Sequence, residues 1–225
     1  MGLDMYLYRA PRYKGCTMDD VAAVEYVLDY RRYVKSDRYK EKKYGFSEWC
    51  GIEVPPAKDV IDFYAPYEIV SYSDWDTKHE NPWYSIREEI GYWRKANHIH
   101  GWFVNHVQDW EDDCEFHREV TEEDLKDLMA DCEKVLSSTR LVPGKVYAGE
   151  TYENGRWTKK WIDGMVLEND KVARKVLPKT AGFFFGDGGY EEWYYKYLEE
   201  TVEICRKALE TTDFEKQMIY YRSSW

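Results

Sequence analysis

Apolar and polar residues along this chain keep two rhythms, one repeating every second residue and one every three to four. The opening "GLDMYLYR" alternates Leu3, Met5 and Leu7 against Asp4, Tyr6 and Tyr8, which predicts a strand buried on at least one face. In "TMDDVAAVEYVLDYRRYV" the period changes. Val21, Val24, Val27 and Leu28 fall at helical spacing behind a Thr17 N-cap, with Asp20 three places on. "TEEDLKDLMADCEKVL" repeats that signature with Thr121 as cap and Leu125, Leu128, Met129, Cys132, Val135 and Leu136 on one stripe. A short Pro-initiated helix and then a strand near Tyr67 to Ser71 are expected in "PPAKDVIDFYAPYEIVSYSDWD", and "SDWDTKHENPW" reads as a loop. "DCEFHREV" alternates as a strand would. Asn154-Gly155 between β-rich flanks marks a hairpin over roughly 145–164. "AGFFFGDGGYEEWYYKYLEETVEICRKALE" runs from a Phe-rich strand through a Gly-rich turn into a long helix, and "QMIYYRSSW" offers a closing strand.

The order of these elements predicts an α+β protein: a single domain over 1–225, with a mixed or antiparallel sheet packed against three to four amphipathic helices. No linker rich in Pro, Gly or Ser divides it, and no repeat or low-complexity tract occurs.

The segment Gly91 to Gln108, "GYWRKANHIHGWFVNHVQ", holds three of the chain's five histidines. Read as one continuous helix at about 100° per residue, it sets Tyr92, Trp93, Ala96, Ile99, Phe103, Val104 and Val107 on one face. His100 lies inside that face and Asn97 at its edge, while Arg94, His98, Gly101 and Asn105 lie outside. His98 is therefore expected at the surface. Two residues apart on a helix, His98 and His100 point in nearly opposite directions and cannot share a metal ion. Asn97 and His100 need partners if buried, and Asp112, Asp113 and Cys114 are the nearest in sequence. Asp4, if buried, needs a cation, for which Arg94 is the candidate. Asp4, Arg94, Asn97, His100, Asp113 and Cys114 thus form the candidate polar pocket; no metal ligand set and no cofactor is expected.

Composition narrows the choice of partner. A mean hydropathy of −0.76 would suggest disorder, but 21 Tyr, 10 Trp and 8 Phe supply the area a core needs. The five cysteines are scattered, odd in number and never in C-x-x-C, which argues against a disulfide framework or a zinc ribbon. There is no run of about 18 apolar residues and no leader-like start, so a cytosolic protein without a membrane span is expected. A net charge of −11 argues against nucleic-acid binding across a broad face and favours solubility, a basic protein partner or imitation of a polyanion. The basic, Tyr-rich stretch from Arg31 to Lys43 reads either as a local phosphate contact or as a solvated helix end. "FFFGDGGYEEW" lacks the Lys-Ser/Thr of a phosphate loop, and Asp187, Glu191 and Glu192 would repel one.

Three segments taken together, "MGLDMYLY", "YWRKANHIHGWFV" followed by "DDCEF", and "GFFFG…YEEWYY", resemble a family of uncharacterised proteins carried by bacteriophages, prophages and related mobile elements. The likeness covers the first eight residues, roughly Glu88 to Leu136 and roughly Leu177 to Leu209. The segment 13–84 and the hairpin region then look like variable insertions. The resemblance implies an accessory factor acting on host machinery or host defence, and carries no catalytic residue.

Two function classes follow. The first is a non-catalytic binder of a host protein or small polar ligand, anchored by Trp49, Trp75, Trp83 and Trp110. The second is an enzyme on a nucleotide-like substrate, with Arg94 holding an anionic group, His100 moving the proton and Asp113 orienting it. Direct nucleic-acid binding through residues 31–43 is a third and weaker reading.

Overall fold

The computed structural model describes residues 2–72, 82–153, 155–180 and 189–225. It is an α+β protein. The element order is β1 (Asp4–Pro11), α1 (Met18–Lys35), α2 (Asp37–Glu41), α3 (Phe46–Cys50), α4 (Lys58–Tyr64), β2 (Ile69–Tyr72), β3 (Pro82–Ser85), β4 (Glu88–Arg94) and α5 (Asn97–His106). There follow α6 (Glu122–Ser138), β5 (Leu141–Glu153), β6 (Arg156–Leu167), α7 (Lys171–Val176), α8 (Glu192–Thr211) and β7 (Gln217–Ser224). One sheet has the order β4-β1-β7, and β2–β3 and β5–β6 are antiparallel pairs. No helix among the described residues is long and apolar enough to cross a membrane.

The chain, expected as one domain over 1–225, has contacts that group into two compact units. The first comprises 1–7, 90–212 and 221–225, and the second 8–89 and 213–220. The segment 13–84 lies inside the second.

In the first unit the alternation of β1 buries Leu3, Met5 and Leu7 completely. Gly91 lets β4 close on α8, since a Cβ there would stand 2.6 Å from Ile204 Cγ2. The Trp93 indole N–H donates to Thr201 Oγ1 at 2.9 Å, so this large buried ring keeps its polar atom satisfied. Helix α6 starts as expected: Thr121 Oγ1 accepts from the Asp124 N–H at 3.1 Å, and the Asp124 carboxylate accepts from the Thr121 N–H and hydroxyl. The hairpin is present over β5 and β6, and its Asn154 falls outside the described residues. The Phe-rich strand and most of the Gly-rich turn at 181–188 also fall outside them, as do most of the "SDWDTKHENPW" loop and Trp75.

Two expectations need correction. The segment 91–108 is not one helix: residues up to Arg94 are extended in β4, Lys95 takes a left-handed φ of 60°, and α5 begins at Asn97. Gly91 and Trp93 face inward and Tyr92 and Arg94 outward, so Tyr92, expected on the apolar face beside Trp93, is 42 % exposed. "DCEFHREV" is a loop, not a strand. Its polar side chains fold back on the chain: Asp113 accepts from the Glu115 N–H at 2.9 Å, and Arg118 grips Asp124 through both terminal nitrogens at 2.7 and 2.8 Å. Side chains of β7 hold the same loop, Arg222 Nε donating to the Cys114 carbonyl at 2.6 Å and Ser223 to that of Asp113 at 3.1 Å.

In the second unit Glu25 of α1 carries much of the order. Its Oε1 accepts from Ser85 Oγ (2.9 Å) and from the Ile86 and Arg87 N–H groups (2.7 and 3.0 Å). Its Oε2 takes both Nε and Nη2 of Arg87 (2.9 and 2.6 Å). Tyr64 donates to the Pro11 carbonyl at 3.0 Å. Glu25→Ala strands the Arg87 guanidinium and two backbone donors in a little-hydrated place. It should lower unfolding stability by about 3 kcal/mol, read from urea denaturation, with Glu25→Gln costing less because it keeps the acceptor.

Candidate functional site

Helix α5 is closed in on every side over its first turn and reaches solvent at Asn105 and His106. Asn97, His98, Ile99, His100, Trp102 and Phe103 are all closed off from solvent, and a different neighbour covers each direction. Tyr194 of α8 lies over His98 with ring centroids 4.1 Å apart, Tyr221 of β7 stacks on Phe103 at 4.0 Å, and Asp131 of α6 accepts from the Trp102 indole at 3.2 Å. His98, expected at the surface, is 2 % exposed. The wheel misplaces it because it was phased partly on Tyr92 and Trp93, which lie in β4, and because the first turn of α5 is buried all round. Its Nε2 meets no hydrogen-bond partner among the described residues, and burial, with Lys179 nearby, lowers its pKa to about 3.

His100 is 0 % exposed, and both ring nitrogens are engaged. Nδ1 lies 2.7 Å from Tyr221 Oη and Nε2 lies 3.0 Å from Asp112 Oδ1. An ionised carboxylate only accepts, so Nε2 carries the proton and donates to Asp112, while Nδ1 accepts from the Tyr221 hydroxyl. Burial raises the Tyr221 pKa well above its ordinary value, which keeps that hydroxyl a donor. Burial also lowers the His100 pKa against the opposite pull of Asp112. The result is a neutral imidazole clamped between a strand and a loop, with both nitrogens already occupied.

The remaining candidates lie elsewhere. Asp4 accepts from Tyr92 Oη at 2.5 Å and has Arg94 Nε at 3.9 Å, so the expected Asp4–Arg94 pairing forms, with the arginine exposed. Asp113, expected to orient His100, instead accepts from His117 Nε2 at 2.8 Å. Although burial acts the other way, the Glu115 N–H and His117 hold the Asp113 carboxyl below its ordinary range. Cys114 is half-buried and contributes its carbonyl to Arg222. The sequence reading missed Tyr221, which is 121 residues away from His100 and betrayed by no local spacing. It also missed Glu111 and His117, whose ligand atoms lie with that of Asp113 within 4.8 Å of one another; the sequence signal is the i, i+4 placement of Asp113 and His117. That set alone does not define a metal centre, because Asp113 is already spent on His117 and a backbone N–H.

Two other surface features matter. A groove of about 590 Å³ is floored by Tyr92, Leu136, Val202 and Ile204 and rimmed by Glu199, Glu200 and Glu203. In the second unit the basic stretch 31–43 is partly consumed at home. Arg32 binds Glu68 at 2.8 Å and lies over the Tyr84 ring, Lys40 pairs with Asp37, and Lys42 sits over Tyr44. Trp49 stacks on Tyr33 at 3.9 Å, whereas Trp83 and Trp110 are exposed.

Comparison with protein-family models, with curated proteins and with solved structures finds no match for this chain.

The buried histidines set a pH dependence. Their folded pKa values lie below the unfolded value of 6.5, so below 6.5 the unfolded chain binds more protons. Their contribution is complete above pH 6.5 and is lost as the pH falls towards the folded values. His98 alone should cost about 2 kcal/mol by pH 5. Asp124, held at about 2, acts only at lower pH. Urea midpoints should therefore fall between pH 7 and 5, and His98→Phe, which keeps the stack on Tyr194, should flatten that slope. An unchanged slope in the variant would show that His98 is not the group responsible.

Proposed function

We propose that this chain is a non-catalytic cytosolic accessory protein of the mobile-element type, which binds a basic surface of a host protein. The observation that carries the reading is the closure of His100. His100, the candidate for moving a proton, has both ring nitrogens engaged and no exposure, and a general base must reach its proton directly or through one water. What the surface offers is suited to binding. The groove beside Tyr92 joins an apolar floor to three glutamates, in a chain of net charge −11. Charge of that sign favours encounter with a basic partner and repels a nucleic-acid backbone. Exposed Trp83 and Trp110 add the aromatic surface typical of interface anchors.

The test is capture from host lysate at low salt by wild-type protein and by Glu199→Lys/Glu200→Lys. The account expects basic proteins to be retained by the wild type, released as salt rises, and retained at least about tenfold less by the variant. His100→Gln should leave retention unchanged in whatever fraction stays folded. Equal retention by wild type and the charge-reversed variant would exclude the groove as the binding surface.

A further inference from the structure

The β5–β6 ribbon places the odd members of β6 and their cross-strand partners on one face. Rising from its base, the rows are Lys145/Asp163, Tyr147/Trp161, Glu150/Lys159 and Tyr152/Trp157. Gly149, at φ 99°, sits in the bulge between Tyr147 and Glu150 and absorbs the extra residue, so the face is kept. The pairs are real contacts: Tyr147 and Trp161 centroids are 5.8 Å apart, Tyr152 and Trp157 5.2 Å, and Lys145 Nζ reaches Asp163 at 2.8 Å. Yet Tyr152, Trp157 and Trp161 remain 61, 67 and 55 % exposed. With side chains of about 150–250 Å² each, they present on the order of 300–400 Å² of aromatic surface, the size at which a patch marks an interaction site.

Among the described residues a further chain segment joins this ribbon only at its base, where the Leu167 N–H donates to the Tyr190 carbonyl and Val166 bridges Glu191. A two-stranded ribbon is marginal in water unless something covers a face. The charges on the face say what fits. A nucleic acid needs a surplus of bases and a basic protein needs a surplus of acids, but Lys145 and Lys159 balance Glu150 and Asp163. Rotation by a half-turn about an axis across the strands, through the Tyr147/Trp161 row, stacks the face on itself. It sets Lys145 over Glu150 of a second copy and Asp163 over Lys159, so every charge meets its opposite and the aromatic row meets itself.

We infer that this face is the contact of a symmetric dimer, and that its occupant is a second copy of this chain. The inference uses none of the groove residues of the proposed function, so either can fail alone. Sedimentation equilibrium of the full chain tests it. The wild type should show a concentration-dependent doubling of mass. Trp157→Ser/Trp161→Ser should weaken association at least about tenfold without altering the circular dichroism spectrum. Lys145→Glu/Asp163→Lys keeps the ion pair within each copy but opposes like charges between copies, so it should dissociate the dimer. Adding Glu150→Lys/Lys159→Glu should restore it. A wild type that stays monomeric at every concentration, or a dimer untouched by both double variants, overturns the inference. So does a monomer whose tryptophan fluorescence responds instead to a single-stranded oligonucleotide or a basic peptide.

Discussion

The first unit is organised by a helix whose first turn, Asn97–His100, is buried on every side. Burying that turn among β7, α8 and the 107–120 loop sets a cost of about 1–3 kcal/mol on each polar group left unpaired, as His98 Nε2 is among the described residues. His100 answers that constraint with a hydrogen-bonded chain from Tyr221 through its own ring to Asp112. A strand near one end of the sequence, a helix and a loop are thereby fixed by one side chain. Any repacking that frees a ring nitrogen leaves either a buried phenol or a buried imidazole without a partner.

The same constraint shapes the loop. Asp112 must turn inward to meet His100, and its neighbours Glu111 and Asp113 gather instead beside His117. Asp109 and Trp110 take left-handed φ values of 49° and 70°, a conformation that side-chain-bearing residues adopt only where the surroundings impose it. Here the Trp110 N–H donates to the Val104 carbonyl at 3.0 Å and the Glu111 N–H to that of Gln108 at 2.8 Å, which holds the turn. Trp110 is pushed into solvent as a consequence, one of several aromatic rings the fold places outside its core.

Elements whose pattern depends on one buried face were legible in the sequence. Thr17 and Thr121 marked their helices, Leu3, Met5 and Leu7 their strand, and Asn154-Gly155 its hairpin. The Asp4–Arg94 pairing was anticipated too, from the need of a carboxylate in the opening strand for a cation, although Arg94 was read as helical and lies in β4. What failed was the assumption of one solvent side running unbroken along a single helix. Applied to residues 91–108, it joined a strand to a helix across Lys95 and put His98 in water. The partner of His100 was sought in the right loop, where Asp112 and Asp113 were both candidates, but nothing local could choose between adjacent carboxylates. Tyr221 was beyond reach, because only the pairing of strands from opposite ends of the chain brings it to α5.

The central claim is that His100 is a structural clamp and not a proton carrier. Its most direct test is a pH titration of the histidine ring nitrogens by NMR in the folded protein. His100 should appear as the neutral Nε2–H tautomer and begin to protonate only below the ordinary range of a histidine, together with loss of the fold. A His100 signal that titrates reversibly at or above the ordinary value, with the fold intact, would contradict the account.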